Sequence, residues 1–133
     1  MPGLMLDSDI CIDVMRGRSP SIRSRFERTE PEDIAVSSIV AAELWTGVSK
    51  SAYPEKSTEA LRAFLAFVVV LDWPAEAAAA YGEIRAQLEK SGRSIGAMDL
   101  LIAAHAIHEK ATLVTRNQAE FHRVSGLKVV SWS

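Results

Sequence analysis

The chain has 133 residues, 48% hydrophobic and 24% charged, with a net charge of −2 and an isoelectric point of about 5.9. That is the size and balance of a single folded domain, residues 1–133, and not of a disordered segment. The acidic balance is the opposite of what most nucleic-acid binders carry, although Arg16, Arg18, Arg23, Arg25 and Arg28 cluster against one acid, Glu27.

No apolar run approaches the roughly 20 residues that span a bilayer, and Phe64 to Leu71 is the longest. The opening Met-Pro-Gly-Leu-Met-Leu-Asp has no basic region and an early acid, so a signal peptide is not expected there. The single cysteine, Cys11, lies between Ile10 and Ile12 and reads as a buried thiol in a reducing compartment. The expectation is a cytoplasmic protein.

In chain order, Leu4 to Leu6 reads as a short apolar strand. A helix follows, capped by Ser8 or Asp9, running to about Met15 and ended by Gly17. Ser19-Pro20 opens the next helix. Ile34-Ala35-Val36 reads as a second strand, with Ser37-Ser38 capping a helix to about Ser49. Tyr53-Pro54 breaks the chain. A helix from about Glu55 leads into the β-branched run Val68 to Leu71. Trp73-Pro74 opens a long helix ending near Ser91-Gly92. After the break at Ile95-Gly96, Met98 to Glu109 is a helix apolar around most of its circumference. Thr112 to Thr115 and Lys128 to Val130 read as the last strands. Strands alternating with helices predict an α/β fold with a parallel sheet.

Asp7, Glu43 and Asp99 stand out against this background. Asp7 directly follows the first strand, where ligand sites of parallel sheets lie, though an acid there also serves a helix N-terminus. Glu43 is the only charged residue between Ile34 and Ser49. A carboxylate in so apolar a helix needs solvent at a cleft, a partner or a metal. Asp99 is again a lone charge opening an apolar helix, and could also be a first-turn acid. Three hard oxygen donors, with no Cys/His ligand spacing, suit Mg²⁺ or Mn²⁺ better than Zn²⁺. There is no Gly-rich phosphate loop and no nucleophile elbow, and His105, His108 and His122 lack the spacing of a helical zinc pair.

Four stretches resemble the motifs of PIN domains in order: Met5-Leu6-Asp7-Ser8-Asp9-Ile10; Ser37 to Leu44; Ile84 to Leu88 with Gly92 to Ala106; and Leu113 to Phe121. Gly126 to Val130 resembles the terminal strand of that family. The nearest resemblance is to VapC-type toxins of VapBC toxin–antitoxin systems, and it runs over nearly the whole chain. It implies a PIN-like α/β/α sandwich with a central parallel sheet flanked by helices. It implies a Mg²⁺-dependent endoribonuclease, with Mn²⁺ able to substitute, cutting RNA by metal-activated water. A structured RNA such as a tRNA is among the substrates so implied. Carried over, the metal-binding acids fall on Asp7 and Asp99, with Glu43 as the third acid. Ser8 stands where Thr is usual and keeps the hydroxyl. Asp9 stands where Asn is usual and adds an acid.

The fourth position often carries Asp in the family; here it is Asn117, with Glu120 nearby as a substitute acid. Ser8, Arg93 and Arg116 are the candidate substrate contacts, the two arginines gripping phosphates beside the scissile one, or alternatively pairing with acids. The resemblance also implies a homodimer neutralised by a VapB-type antitoxin whose segment enters the acidic site. Trp45, Tyr53, Phe64, Phe67 and Trp73 are consistent with grooves for that segment, or with core packing. The competing readings are a PIN-like nuclease in RNA or DNA processing without an antitoxin, and an inactive nucleic-acid-binding module.

Overall fold

Leu4–Leu6 forms strand β1 at the centre of a five-stranded, wholly parallel sheet. In this computed structural model, which describes residues 2–133, the strand order is β3-β2-β1-β4-β5. The other strands are β2 (Ile34–Ser37), β3 (Val69–Leu71), β4 (Thr112–Val114) and β5 (Val129–Val130). Leu4 pairs with Ile34 on one side and Thr112 on the other, and Met5 with Ala35 and Leu113. Met5, Leu6 and all four residues of β2 are buried. Helices flank the sheet on both sides, so its strands read as unbroken apolar runs and not as alternating ones.

The helices are α1 (Ser8–Arg16), α2 (Pro20–Glu27), α3 (Ser38–Ser49), α4 (Pro54–Phe67), α5 (Ala78–Lys90), α6 (Ala97–Glu109) and α7 (Gln118–Phe121). Their ends follow from local chemistry. Ser19 and Ser37 accept the Ile22 and Ile39 N–H groups as N-caps. Gly17 closes α1 in the left-handed region (φ 62°), its N–H reaching the Asp13 and Val14 carbonyls. In α6, Leu100 and every residue from Ile102 to Ala106 are buried. Its alanines let α5 and α3 pack close against it.

The expected architecture is present, with local differences. Helix α1 is capped by Asp7 and not by Ser8 or Asp9, because Asp7 directly follows β1 in extended backbone and its side chain accepts the Ser8 N–H. The helix after Trp73-Pro74 starts as a 3-10 turn, Ala75–Ala77, because Pro74 holds extended backbone. A 3-10 turn at Pro31–Asp33 leads into β2. Helix α7 was not expected; one turn is too short to show periodicity. Trp132 is also buried beyond β5, and its carbonyl accepts the Ser21 hydroxyl on α2 at 2.5 Å.

Candidate active site

The sheet order places a topological switch between β1 and β4: from β1 the chain moves outward through β2 and β3, then returns to β1's other side. At such a point the connections leave in opposite directions and open a crevice at the carboxyl ends of the strands. The residues immediately beyond β1 and β4 are Asp7 and Thr115, and they meet there. Thr115 Oγ1 donates to Asp7 Oδ2 at 2.7 Å, and the Ser8 N–H donates to Asp7 Oδ1 at 2.9 Å. Asp7 therefore both caps α1 and presents a fixed, buried carboxylate. Burial raises its pKa, against the pull of the Thr115 and Ser8 hydrogen bonds.

Glu43 on α3 and Asp99 on α6 face the same crevice. The pKa of Glu43 is raised by burial and then by the Asp7 charge, partly offset by the Ser8 hydroxyl. That of Asp99 is raised to about 7, by burial first, then by Asp7, Glu120 and Glu43. Asp7 is thus within electrostatic reach of Glu43 and Asp99, and Glu43 of Asp99. Asp9 is raised by burial and by Asp7, and the Arg116 N–H and charge pull it back.

Asn117 and Glu120 act together. Asn117 Nδ2 donates to Glu120 Oε2 at 3.0 Å, and the Asn117 N–H is held by Thr115 Oγ1 at 3.0 Å. The neutral amide orients the acid on α7, and that acid meets Asp99.

Asp7, Asp9, Glu43, Asp99 and Glu120 gather here against one guanidinium. Such crowding is costly without a counter-ion. Two buried carboxylate oxygens, Glu43 Oε1 and Asp9 Oδ1, have no hydrogen-bond partner. Among the described residues, no three of these groups close into a cage that would clasp an ion directly. The donor set fits a hard cation that keeps part of its water shell, as Mg²⁺ does when held by one or two carboxylates.

Arg116 is committed within this cluster. Its Nη1 lies 3.3 Å from buried Asp13 Oδ2 and its Nε 3.8 Å from Asp9 Oδ2, while its N–H donates to Asp9 Oδ2 at 3.3 Å. The alternative of pairing with acids is therefore the observed one for its side chain. Arg93 is exposed, with no side-chain hydrogen bond or ion pair among the described residues. Ser8 sits beside Glu43. Sequence reasoning missed Thr115 and Asp13. The only signal for Thr115 is a hydroxyl at the end of an apolar strand, and nothing in the sequence sets Asp13 apart from the other acids.

The PIN-domain family profile matches residues 4–127. The chain is 39% identical over 129 residues to the tRNA(fMet)-specific endonuclease VapC of Shigella flexneri, covering 97% of each chain. It is 43% identical over 129 residues to Ribonuclease VapC2 of Rickettsia felis, covering 96% of each. This chain belongs to the VapC-type PIN domains. Its fold superposes on DNA-bound VapBC from Salmonella typhimurium with a TM-score of 0.94, at 34% identity and full coverage of both chains. For VapBC2 from Rickettsia felis bound to a promoter DNA fragment the TM-score is 0.91, at 41% identity and 98% coverage of each.

This VapC-type domain has a groove of about 620 Å³ beside the acidic crevice. Ile12 and Met15 of α1, Leu44 and Val48 of α3 and Ala60 and Leu61 of α4 form its apolar lining, and Glu43 and the cations Arg16, Lys50 and Lys56 also line it. Of the aromatics considered for such a groove, only Tyr53 lines it, 73% exposed. Phe64 is core, and Phe26 stacks on it at 6.0 Å and packs on Phe67 at 5.6 Å. Trp45 lies under Arg62 at 5.6 Å. No helix among the described residues is long and apolar enough to cross a membrane.

Proposed function

We propose that this chain is the toxin of a VapBC-type toxin–antitoxin pair, a Mg²⁺-dependent endoribonuclease acting in the cytoplasm, with Mn²⁺ able to substitute. The observation that carries this is the gathering of Asp7, Glu43 and Asp99 at the sheet's switch point, where the Asp7 charge acts on both Glu43 and Asp99 and the Glu43 charge acts on Asp99. Asp7, Glu43 and Asp99 would hold the cation. When bound, it supplies Lewis acidity, lowering the pKa of a coordinated water and offsetting charge on the phosphate under attack. The chain's own residues do the rest. Thr115 and the Ser8 N–H fix the Asp7 oxygens, Asn117 steers Glu120 toward Asp99, and Arg93 is free to take a phosphate of the RNA. Arg116, half-exposed, can offer a phosphate only the part of its charge that Asp9 and Asp13 leave uncompensated. A tRNA is the substrate class proposed, by similarity to the Shigella flexneri relative, whose name specifies tRNA(fMet).

The groove beside Glu43 supports an antitoxin partner. An apolar segment seated between α1, α3 and α4 would run to the acidic crevice and cover it. We further propose that the toxin pairs with itself, each copy carrying antitoxin.

The decisive experiment is cleavage of a tRNA pool by purified protein. Cleavage is expected with Mg²⁺ or Mn²⁺, and none after EDTA or in folded Asp7→Asn. Undiminished cutting after exhaustive chelation would overturn the proposal.

A further inference from the structure

The helices that carry Glu43 and Asp99 are joined by a polar link the nuclease chemistry does not use. Ser37 lies six residues before Glu43 and His105 six residues after Asp99. Their side chains meet: His105 Nδ1 is 2.8 Å from Ser37 Oγ, with both residues wholly buried. The same oxygen accepts the Ile39 N–H at 3.1 Å, so it also caps α3. A second link runs alongside. The Trp73 N–H donates to Ser38 Oγ at 2.9 Å, and its indole Nε1–H donates to the Leu101 carbonyl of α6 at 2.9 Å.

His105 has no reason to be there on packing grounds. Its neighbours in α6 are Ala, Ile and Leu, and burial lowers its pKa, keeping the ring neutral. Its Nε2 has no hydrogen-bond partner and lies 4.0 Å from Glu109 Oε2. With the proton on Nε2, facing that carboxylate, Nδ1 accepts from the Ser37 hydroxyl. A buried polar group with one nitrogen unsatisfied is dearer than an apolar side chain of the same size. What it adds is a fixed register between two helices. Neither Ser37 nor His105 is among the groups that shift Asp7, Glu43 or Asp99, so any influence on them is through position.

Six residues of helix are about 9 Å of rise. A small slide or rotation of α6 on α3 therefore carries Asp99 away from Glu43 by more than the few tenths of an ångström that metal ligation tolerates. We propose that Ser37 and His105, backed by Trp73, form a brace that sets α6 against α3 so that Glu43 and Asp99 can share one divalent cation. They are positioning residues, and the inference rests on the metal-site reading above.

Calorimetric titration of the metal-free protein with Mn²⁺ tests it, alongside thermal melting of each variant. Residues supporting metal ligands typically change affinity by about 10–100-fold. Ser37→Ala and His105→Leu are expected to lose that much while remaining folded. His105→Asn, whose amide oxygen can accept the Ser37 proton, should stay close to wild type. A role in stability alone would lower the melting temperature and leave Mn²⁺ affinity unchanged in all three, which would overturn the brace. If alanine at position 37 prevents folding, Ser37→Cys, nearly isosteric and a weaker donor, should show the same loss, and full affinity there overturns the proposal. Asp99→Asn separates the two readings. If wild type does not bind Mn²⁺, or Asp99→Asn binds it equally well, the metal site itself falls. If Asp99→Asn loses affinity and the brace variants keep it, only the brace falls.

Discussion

Burial first, and then the acids Asp7, Glu120 and Glu43 around it, push the Asp99 carboxyl up to about 7. A carboxyl raised from 3.8 to about 7 in the fold is disfavoured as an anion there. Its contribution to stability is therefore fully present below the unfolded value and is lost as pH rises toward 7. Without metal, wild-type protein should lose melting temperature relative to Asp99→Asn between about pH 4 and pH 7, and Mg²⁺ should restore it. Taking the difference between the two proteins removes the opposing effect of His105, whose lowered pKa favours the fold as pH rises. Parallel melting curves would show that the Asp99 carboxyl is not raised in the fold. Arg116 presents the complementary case. Its removal leaves Asp13 buried beside Asp9 without a cation. Because the guanidinium is half-exposed, solvent screens the pair, and Arg116→Ala should cost about 1 kcal/mol in urea denaturation. Adding Asp13→Asn should recover part of that. Additive losses would mean that the ion pair does not matter to folding.

At the scale of elements, ends carry more information than middles. Asp7 directly follows β1 and Ser37 ends β2; each caps the next helix and makes a side-chain contact with a residue distant in the chain. Such double use compresses the strand-to-helix turns and brings helix starts to the crevice. Gly17 does the reverse job, stopping α1 at positive φ beside Arg23. Gly17→Ala must hold a Cβ in the left-handed region and should destabilise the protein by about 1 kcal/mol in the same denaturation assay. No change in midpoint would show that the α1 end rearranges freely.

Across the whole molecule, the strand order decides where chemistry happens and what can cover it. The switch between β1 and β4 creates the crevice, and the packing of α1, α3 and α4 leaves the apolar groove that runs up to Glu43. Ala60 is exposed on α4 in that groove. Ala60→Glu should leave melting and RNA cleavage intact while weakening capture of a co-expressed VapB-type antitoxin at least about tenfold, since a charge cannot be desolvated against an apolar segment without cost. Native gels and neutralisation of cleavage read this out. Unchanged neutralisation would place the antitoxin elsewhere.

By itself, the sequence determined the order of elements, because apolar runs, Ser and Asp caps and Gly and Pro stops are local and leave a local trace. It also determined Asp7, Glu43 and Asp99 as candidates, since a lone charge in an apolar stretch needs a reason wherever the chain places it. The contact of the Asn117–Glu120 pair with Asp99 was decided only by the tertiary structure, because a hydrogen bond between neighbours says nothing until Asp99, far away in the chain, arrives beside them. The same holds for Thr115 against Asp7 and for His105 against Ser37, 108 and 68 residues apart. In sequence Arg116 leaves two readings open, a phosphate contact or a partner of acids, and it becomes a partner of Asp9 and Asp13 once β4 lies beside β1. Long-range pairs of this kind depend on which strands adjoin, and strand adjacency is fixed by packing of the whole chain, not by the composition of any one segment.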